Sequence, residues 1–345
     1  LENWTWNSLG LQDFFANQTA VDEIYGRVIK AGSGHYLIQT PEKLYDGQVS
    51  GKFHFHSADP RDYPCVGDWV IFTPLTGEDK AVINRILDRK TILMRHAAGD
   101  NTKEQLMAAN VDVVFLVNAL DKDFNLRRME RYLMQVYESG AKPVFILTKA
   151  DLAEEVQDKV KLVEAIAPGV AVYAIDSLSG SGVDEIKKEL IEGQTISLIG
   201  SSGAGKSTLI NLLTGRELQK TQEVRASDQK GKHTTTHREM FLLPEGPAII
   251  DTPGMRELQL WGDSDTVDMA FSDIDALSEN CKFRDCKHGS EPGCAVNEAI
   301  EKGVLTSERL KNYRKMLREV ERLDLKEKYG AHKTNRMLYG PKGIR

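Results

Sequence analysis

The sequence has no apolar run near the ~18 residues that a membrane-crossing helix requires, so no membrane helix is expected among its 345 residues. Its first residues, "LENWTWNSLG", lack the basic-then-apolar pattern of a secretory leader, so a cytoplasmic protein without a membrane partner is expected. Cysteine is scarce. The four are Cys65, Cys281, Cys286 and Cys294, and in a reducing compartment the last three, with His288 among them, read as metal ligands rather than disulfides. There is no internal repeat and no low-complexity segment, which sets aside solenoids and compositionally disordered chains. Nor is there a positive excess. The net charge of −6 excludes a wholesale polycation. The total hides an asymmetry: residues 301–345 carry 13 Lys and Arg against 6 Asp and Glu. That tail suits an acidic surface or nucleic acid, or a solvated helix face.

What is present divides by texture. Residues 1–20 carry Trp4, Trp6, Phe14 and Phe15 without strand alternation, as a short helix or a docking arm would. Residues 21–97 alternate in short β-like runs ("VDEIYGRVIKA", "GHYLIQT", "LYDGQVSGKFHF", "GDWVIF", "KAVINRILD") broken by Gly, Pro and Asp, which predicts a small OB-fold barrel. Tyr36, Phe53 and Phe55 could stack on bases there, but core packing is the expected role. Cys65 reads as a buried apolar filler. From Asn110, continuous apolar runs ("VDVVFLVNAL", "KPVFIL", "TISLI") alternate with helical stretches near 126–139, 154–166 and 183–191, which predicts a mostly parallel α/β sheet. That domain is placed at 98–262. A helical, metal-binding domain with the basic tail follows at 263–345, including a helix from Ser307 to Tyr329.

The phosphate loop "GSSGAGKST" comprises Gly200, Ser201, Ser202, Gly203, Ala204, Gly205, Lys206, Ser207 and Thr208, between a predicted strand and a predicted helix. Glycines let backbone N–H groups wrap a phosphate, the helix N-terminus adds positive potential, Lys206 reaches the β and γ oxygens, and Ser207 serves Mg²⁺. "DTPG" ends an apolar strand. Asp251 there suits the Mg²⁺ shell and Gly254 the γ-phosphate. "TKAD" (Thr148, Lys149, Ala150, Asp151) follows a buried strand. The Asp151 carboxylate matches the two donors of guanine, and the stem of Lys149 suits the base face. Ser177 and Leu178 in "DSLSGSG" stand where GTPases commonly have Ser-Ala, whose backbone meets the guanine oxygen. The order is base loops first and phosphate loop second. That is a circular permutation of the usual GTPase order, which a sheet tolerates when its new ends fall in surface loops.

Cys281, Cys286, His288 and Cys294 offer three thiolates and an imidazole, a set suited to one structural Zn²⁺ that stands in for a hydrophobic core in a small, loop-rich segment. Their spacing departs from paired C-x-x-C knuckles.

Over nearly its whole length the chain resembles the RsgA (YjeQ/YloQ) family of circularly permuted, small-ribosomal-subunit-dependent GTPases. The resemblance rests on "NVDVVFLVNALDKDFNLRRMERYL", "TKAD", "GSSGAGKSTLIN", "GKHTTTHRE", "DTPGMREL" and "CKFRDCKHGSEPGC". It implies an OB-fold, a permuted P-loop GTPase domain and an α-helical zinc domain. It also implies hydrolysis of GTP to GDP and phosphate, stimulated by the 30S subunit and its rRNA during late subunit maturation, by a cytoplasmic monomer. "GKHTTT" would be the first switch, with one of Thr234, Thr235 and Thr236 (Thr235 the middle choice) on Mg²⁺. Met255 stands where other GTPases keep a water-orienting Gln, so His233 would take that role, beside Lys206. A merely exposed or RNA-facing His233 is the alternative. Two other functions compete: a P-loop phosphotransferase or ATPase, which has no account of "TKAD", and a nucleotide-sensing, RNA-binding scaffold with little turnover.

Overall fold

A computed structural model of the chain describes residues 4–32, 34–57, 59–96, 104–177, 179–215, 238–243, 246–251 and 264–339. Leu178, His233, Thr234, Thr235, Thr236, Gly254 and Met255 lie outside the described residues. The chain forms two compact units. The first is Leu1–Phe124, Ser139–Val160 and Ala171–Leu258, and the second is Asn125–Glu138, Lys161–Val170 and Gln259–Arg345.

The first unit begins with a single helical turn, α1 (Asp13–Ala16), then β1 (Tyr25–Gly32), β2 (His35–Gln39), β3 (Leu44–Val49), α2 (Gly51–His56), β4 (Trp69–Pro74) and β5 (Lys80–Ile86). Antiparallel pairs β1–β2, β2–β3, β5–β4 and β4–β1, with the parallel pair β3–β5, close the five strands into the expected barrel. Val28, Ile38, Val70, Phe72 and Ile83 fill it, and Tyr36 is buried with them. Phe53 packs against the same core, whereas Phe55 is 87% exposed. The stretch "GKFHF", expected as strand, is helical. The Ser50 hydroxyl accepts the Phe53 N–H at 3.1 Å and caps a helical turn, which outweighs the aromatic strand preference. Cys65 is buried beside Leu106 and Ala109.

The N-terminal residues are both a short helix and a docked segment. Trp4, Leu9 and Phe15 are buried, and the Trp6 ring lies 4.9 Å from Tyr25. Arg27 is buried behind them. Its guanidinium donates to the carbonyls of Gly67, Leu9 and Asn110, and burial drives its pKa down to about 10. Gly67 has φ +93°, and a Cβ there would stand 2.0 Å from the Ala109 carbonyl oxygen, so only glycine fits this crossing.

The chain continues through β6 (Ile92–His96), β7 (Glu104–Ala109), β8 (Val113–Ala119), α3 (Leu126–Ser139), β9 (Lys142–Thr148), α4 (Val156–Ile166), β10 (Ala171–Ala174), α5 (Val183–Ile186), β11 (Thr195–Ile199), α6 (Lys206–Thr214), β12 (Arg238–Leu242) and β13 (Ala248–Asp251). β6 and β7 pair only with each other among the described residues. The α/β strands run in the order β10-β9-β8-β11-β13-β12, parallel up to β13, with β12 antiparallel. Every residue of β8 and β11 is buried, which is why both read as unbroken apolar runs. β12 also pairs with β1 (Lys30 opposite Glu239, Ala31 opposite Arg238), so barrel and α/β sheet share one hydrogen-bonded ladder.

The second unit contains α3 with α7 (Ser264–Ala270), α8 (Ser272–Ser278), α9 (Ala295–Glu301) and α10 (Ser307–Tyr339). It has its own apolar core, built on Val267, Phe271, Ile274, Val296, Leu310 and Met316. The loop-rich segment 281–294, where a metal is expected to stand in for a core, contributes only Cys281, Cys286 and Cys294 to this one. α10 also runs ten residues beyond the expected Tyr329, since nothing from Gly330 to Tyr339 is stronger than a single helix-interior glycine as a stop signal.

Candidate nucleotide and metal sites

Because β9, β8, β11 and β13 are parallel neighbours, their carboxyl ends lie along one edge, where open α/β sheets hold ligands. β9 delivers "TKAD", β11 delivers the phosphate loop, and β13 ends on Asp251. Gly200 leaves β11 so close to β8 that a Cβ would stand 2.1 Å from the Val117 carbonyl oxygen. Gly205 caps α6 with φ +89°, a backbone that side chains resist. Lys206 opens α6, and its ammonium donates to the carbonyls of Gly200 (2.6 Å) and Ser201 (2.7 Å). Ser202 and Gly203 are exposed, Ala204 is buried, and Ser207 and Thr208 are half-buried.

The two loops that sequence reading assigned to base and phosphate are in direct contact. The buried Thr148 hydroxyl donates to the Ala204 carbonyl at 2.7 Å. Ala150 N–H donates to the Ile175 carbonyl at 3.1 Å, which ties "TKAD" to the segment before Ser177. Lys149 takes a left-handed backbone (φ +59°) into a 3-10 turn over Ala150–Leu152. That turn leaves Asp151 exposed, with no hydrogen bond from another described residue. The Ser177 hydroxyl oxygen is buried without a partner among the described residues. Such an orphan fits a ligand-facing position better than a packed core.

Sequence reading missed Asp121 and Asp123. Both follow β8 in "ALDKDF", at the same edge, and that position was the available signal. Asp121 accepts from Lys149 Nζ at 2.8 Å and from the Asp123 N–H at 2.8 Å. Burial pushes its carboxyl up, but these hydrogen bonds outweigh it and hold the pKa below the ordinary carboxylate value. Asp123 accepts from the Ser201 hydroxyl at 2.7 Å.

In the second unit, Cys281, Cys286, His288 and Cys294 bring one ligand atom each to within 4.8 Å of one another. Cys281 Sγ and Cys294 Sγ lie 3.7 and 3.6 Å from His288 Nδ1, and 4.0 Å from each other. A tetrahedral Zn²⁺ with ordinary bond lengths requires about 3.6 Å for S···N and about 3.8 Å for S···S, so the donor set fits that ion. His288 is buried and adopts φ +58°, and Cys294 caps α9 by accepting from Asn297 N–H. Desolvation, together with the other two sulfurs, pushes the Cys286 thiol up to about 11. A cation reverses that preference by stabilising thiolate.

The barrel carries a separate cleft of about 830 Å³ lined by Lys52, Phe53, Arg61, Asn84, Arg85 and Arg89. Arg61, Arg85 and Arg89 are already paired with Asp59, Glu23 and Asp68.

A P-loop sheet that meets its base loop before its phosphate loop defines a circularly permuted GTPase. Family models agree: the RsgA GTPase matches residues 86–261 and the RsgA N-terminal domain residues 25–83. The chain belongs to the RsgA GTPase family. It is 43% identical over 306 residues to the small ribosomal subunit biogenesis GTPase RsgA 1 of Oceanobacillus iheyensis, covering 88% of this chain and 87% of that one. It is 44% identical to RsgA 2 of Vibrio parahaemolyticus, with 90% and 84% covered. Among solved structures it is similar to YjeQ from Thermotoga maritima, at TM-score 0.66 and 27% identity over 86% of this chain and 98% of that one. It is likewise similar to YloQ, a circularly permuted GTPase, at TM-score 0.63 and 25% identity over 87% and 96%.

Proposed function

We propose that this GTPase hydrolyses GTP to GDP and phosphate, that the small ribosomal subunit stimulates it, and that it acts in late maturation of that subunit. The supporting observation is the 2.7 Å hydrogen bond from Thr148 to Ala204. It sets a guanine-matching carboxylate three residues from one side of the contact and a phosphate-binding lysine two residues from the other.

In this reading Asp151 accepts from the N1–H and 2-amino groups of guanine. Adenine offers neither donor and would strand the carboxylate, a discrimination of roughly 10⁴ or more. The stem of Lys149 covers the base, and the backbone of Ser177–Leu178 meets the guanine oxygen. The N–H groups of residues 201–208 wrap the phosphates, while Lys206 leaves the two carbonyls it now holds and turns to the β and γ oxygens. Mg²⁺ would be held by Ser207, Asp251 and one switch threonine, Thr235, and would neutralise phosphate charge. Gly254 would donate its N–H to the γ-phosphate, and His233 would orient the attacking water. Zn²⁺ would be held by Cys281, Cys286, His288 and Cys294 as a structural ion.

The reading divides the chain into an arm (1–20), a barrel (21–97), a GTPase domain (98–262) and a zinc domain with a basic tail (263–345). The protein acts as a cytoplasmic monomer, with its barrel and its basic tail toward rRNA. The test is GTP turnover by the full chain with and without purified small subunits. The wild type is expected to be stimulated and Lys206→Ala inactive. His233→Ala is expected to lose about 10²-fold or more of the stimulated rate. Absence of stimulation in the wild type would favour the scaffold reading, and an intact rate in His233→Ala would remove His233 from the chemistry.

A further inference from the structure

The loop between β8 and α3 is placed in neither nucleotide loop, yet it touches both. Its contacts form an unbroken polar chain: Lys149 Nζ to Asp121 Oδ2, Asp121 Oδ1 to the Asp123 N–H, and Asp123 Oδ2 to the Ser201 hydroxyl, at 2.8, 2.8 and 2.7 Å. The loop is itself fixed from behind. Lys159 of α4 donates to the Leu120 carbonyl at 2.9 Å and lies 5.8 Å from the centre of the Phe124 ring.

We propose that Asp121 and Asp123 are positioning residues for GTP, a two-carboxylate bridge that holds the base-covering lysine and the phosphate loop at a fixed separation. The proposal rests on the reading of residues 148–151 and 200–208 as the GTP site. Its physical basis is side-chain freedom. An untethered lysine samples many rotamers, and few lay its stem along a base; a carboxylate on its ammonium selects those few before the ligand arrives. Asp121 supplies that anchor from a side chain only 26% exposed, where a charge-assisted bond is stronger than at an open surface. Asp123 acts at the other end. Ser201 is the first residue after Gly200, and a fixed hydroxyl there restrains the turn whose N–H groups must all converge on phosphate.

The Asp123 N–H is a donor to Asp121, so the two carboxylates are coupled through one peptide unit. Neutralising Asp121 therefore disturbs the base side first, while truncating Asp123 disturbs the phosphate side first.

The experiment is calorimetric titration of the full chain with GTP and with GDP, for wild type, Asp121→Asn, Asp123→Ala, Asp123→Asn, Asp123→Leu, Ser201→Ala and the double variant Asp123→Ala/Ser201→Ala. Asp121→Asn keeps size and shape, so folding is retained while the charge on Lys149 loses its partner. It is expected to weaken GTP and GDP alike by about tenfold. Asp123→Ala and Ser201→Ala are each expected to weaken both nucleotides by about fivefold or more, and the double variant no further than the stronger single, because the two remove one interaction. Asp123→Asn keeps an acceptor oxygen and is expected to restore affinity to within about twofold, whereas Asp123→Leu, which fills similar space without an acceptor, is expected to behave like Asp123→Ala. Asp121→Asn, Asp123→Ala or Ser201→Ala within twofold of wild type, or effects that multiply in the double variant, would overturn the bridge. Failure of the wild type to bind GTP at all would instead sink the proposed function on which the bridge rests.

Discussion

Arg309 shows how much one side chain can organise. It lies with Phe271 4.0 Å beneath its guanidinium carbon and donates to Glu130, to both oxygens of Asp273 and to the carbonyl of Ala270. Arg309 and Glu130 are 7% and 1% exposed. Removing one partner of so buried a pair leaves the other charge unsolvated, so Arg309→Leu is expected to cost about 3–5 kcal/mol in denaturant unfolding. The sign of its pH dependence follows from Glu130, whose carboxyl burial pushes above its ordinary value even with Arg309 present. A folded state that keeps a proton the unfolded state has shed loses stability as pH rises between the two pKa values. The Arg309→Leu penalty should therefore be larger at pH 8 than at pH 5. None of this was legible in the sequence: Arg309 is one of 13 basic residues in its segment, and only the crossing of α3, α8 and α10 singles it out. Asp121 and Asp123 escaped for a related reason. A carboxylate in a polar loop carries no mark of its partner, whereas Gly200 or Lys206 is marked by a spacing that chemistry makes rare.

Elements whose preference is set locally were legible. α6 begins at Lys206 because Gly205 supplies the left-handed cap, and α3 spans nearly the residues its apolar spacing indicates. Elements decided by competition were not. Phe53 and Phe55 favour strand, but the Ser50 cap turns them into α2. The metal cluster is the element with the clearest test. Had Cys281, Cys286, His288 and Cys294 been the core, chelation would unfold all the helices around them. Since Phe271, Ile274, Val296 and Leu310 bury a core of their own, metal removal is expected to loosen residues 281–294 and the start of α9 while α10 keeps its protection. Hydrogen exchange with and without a strong chelator measures this, and metal analysis should give about one ion per chain.

For the whole molecule, ligand binding offers the most direct check. A ligand bound by the folded form alone raises stability by about 2.7 kcal/mol at a hundred times its Kd. GTP and GDP at that level should each raise the unfolding midpoint, and ATP at the same concentration should leave it unchanged. The parallel order around β11 was readable in the chain, because strands buried on both faces announce themselves by unbroken apolar runs. The continuation of that sheet into the barrel was not. β12 and β1 are separated by some two hundred positions, and two residue pairs at their crossing leave no periodicity to find.

That crossing limits how the molecule can be rebuilt. β12 follows directly on the segment "GKHTTTH", and one of its edges is covered by a strand belonging to the barrel. A chimera that exchanged the barrel for a foreign RNA-binding module would uncover that edge, with its amides and carbonyls open to any passing strand. A successful transplant would have to bring a substitute for β1 along with the new module. Shortening the protein to a minimal GTPase meets the same obstacle, so the natural unit of dissection includes Tyr25–Gly32 together with the α/β sheet.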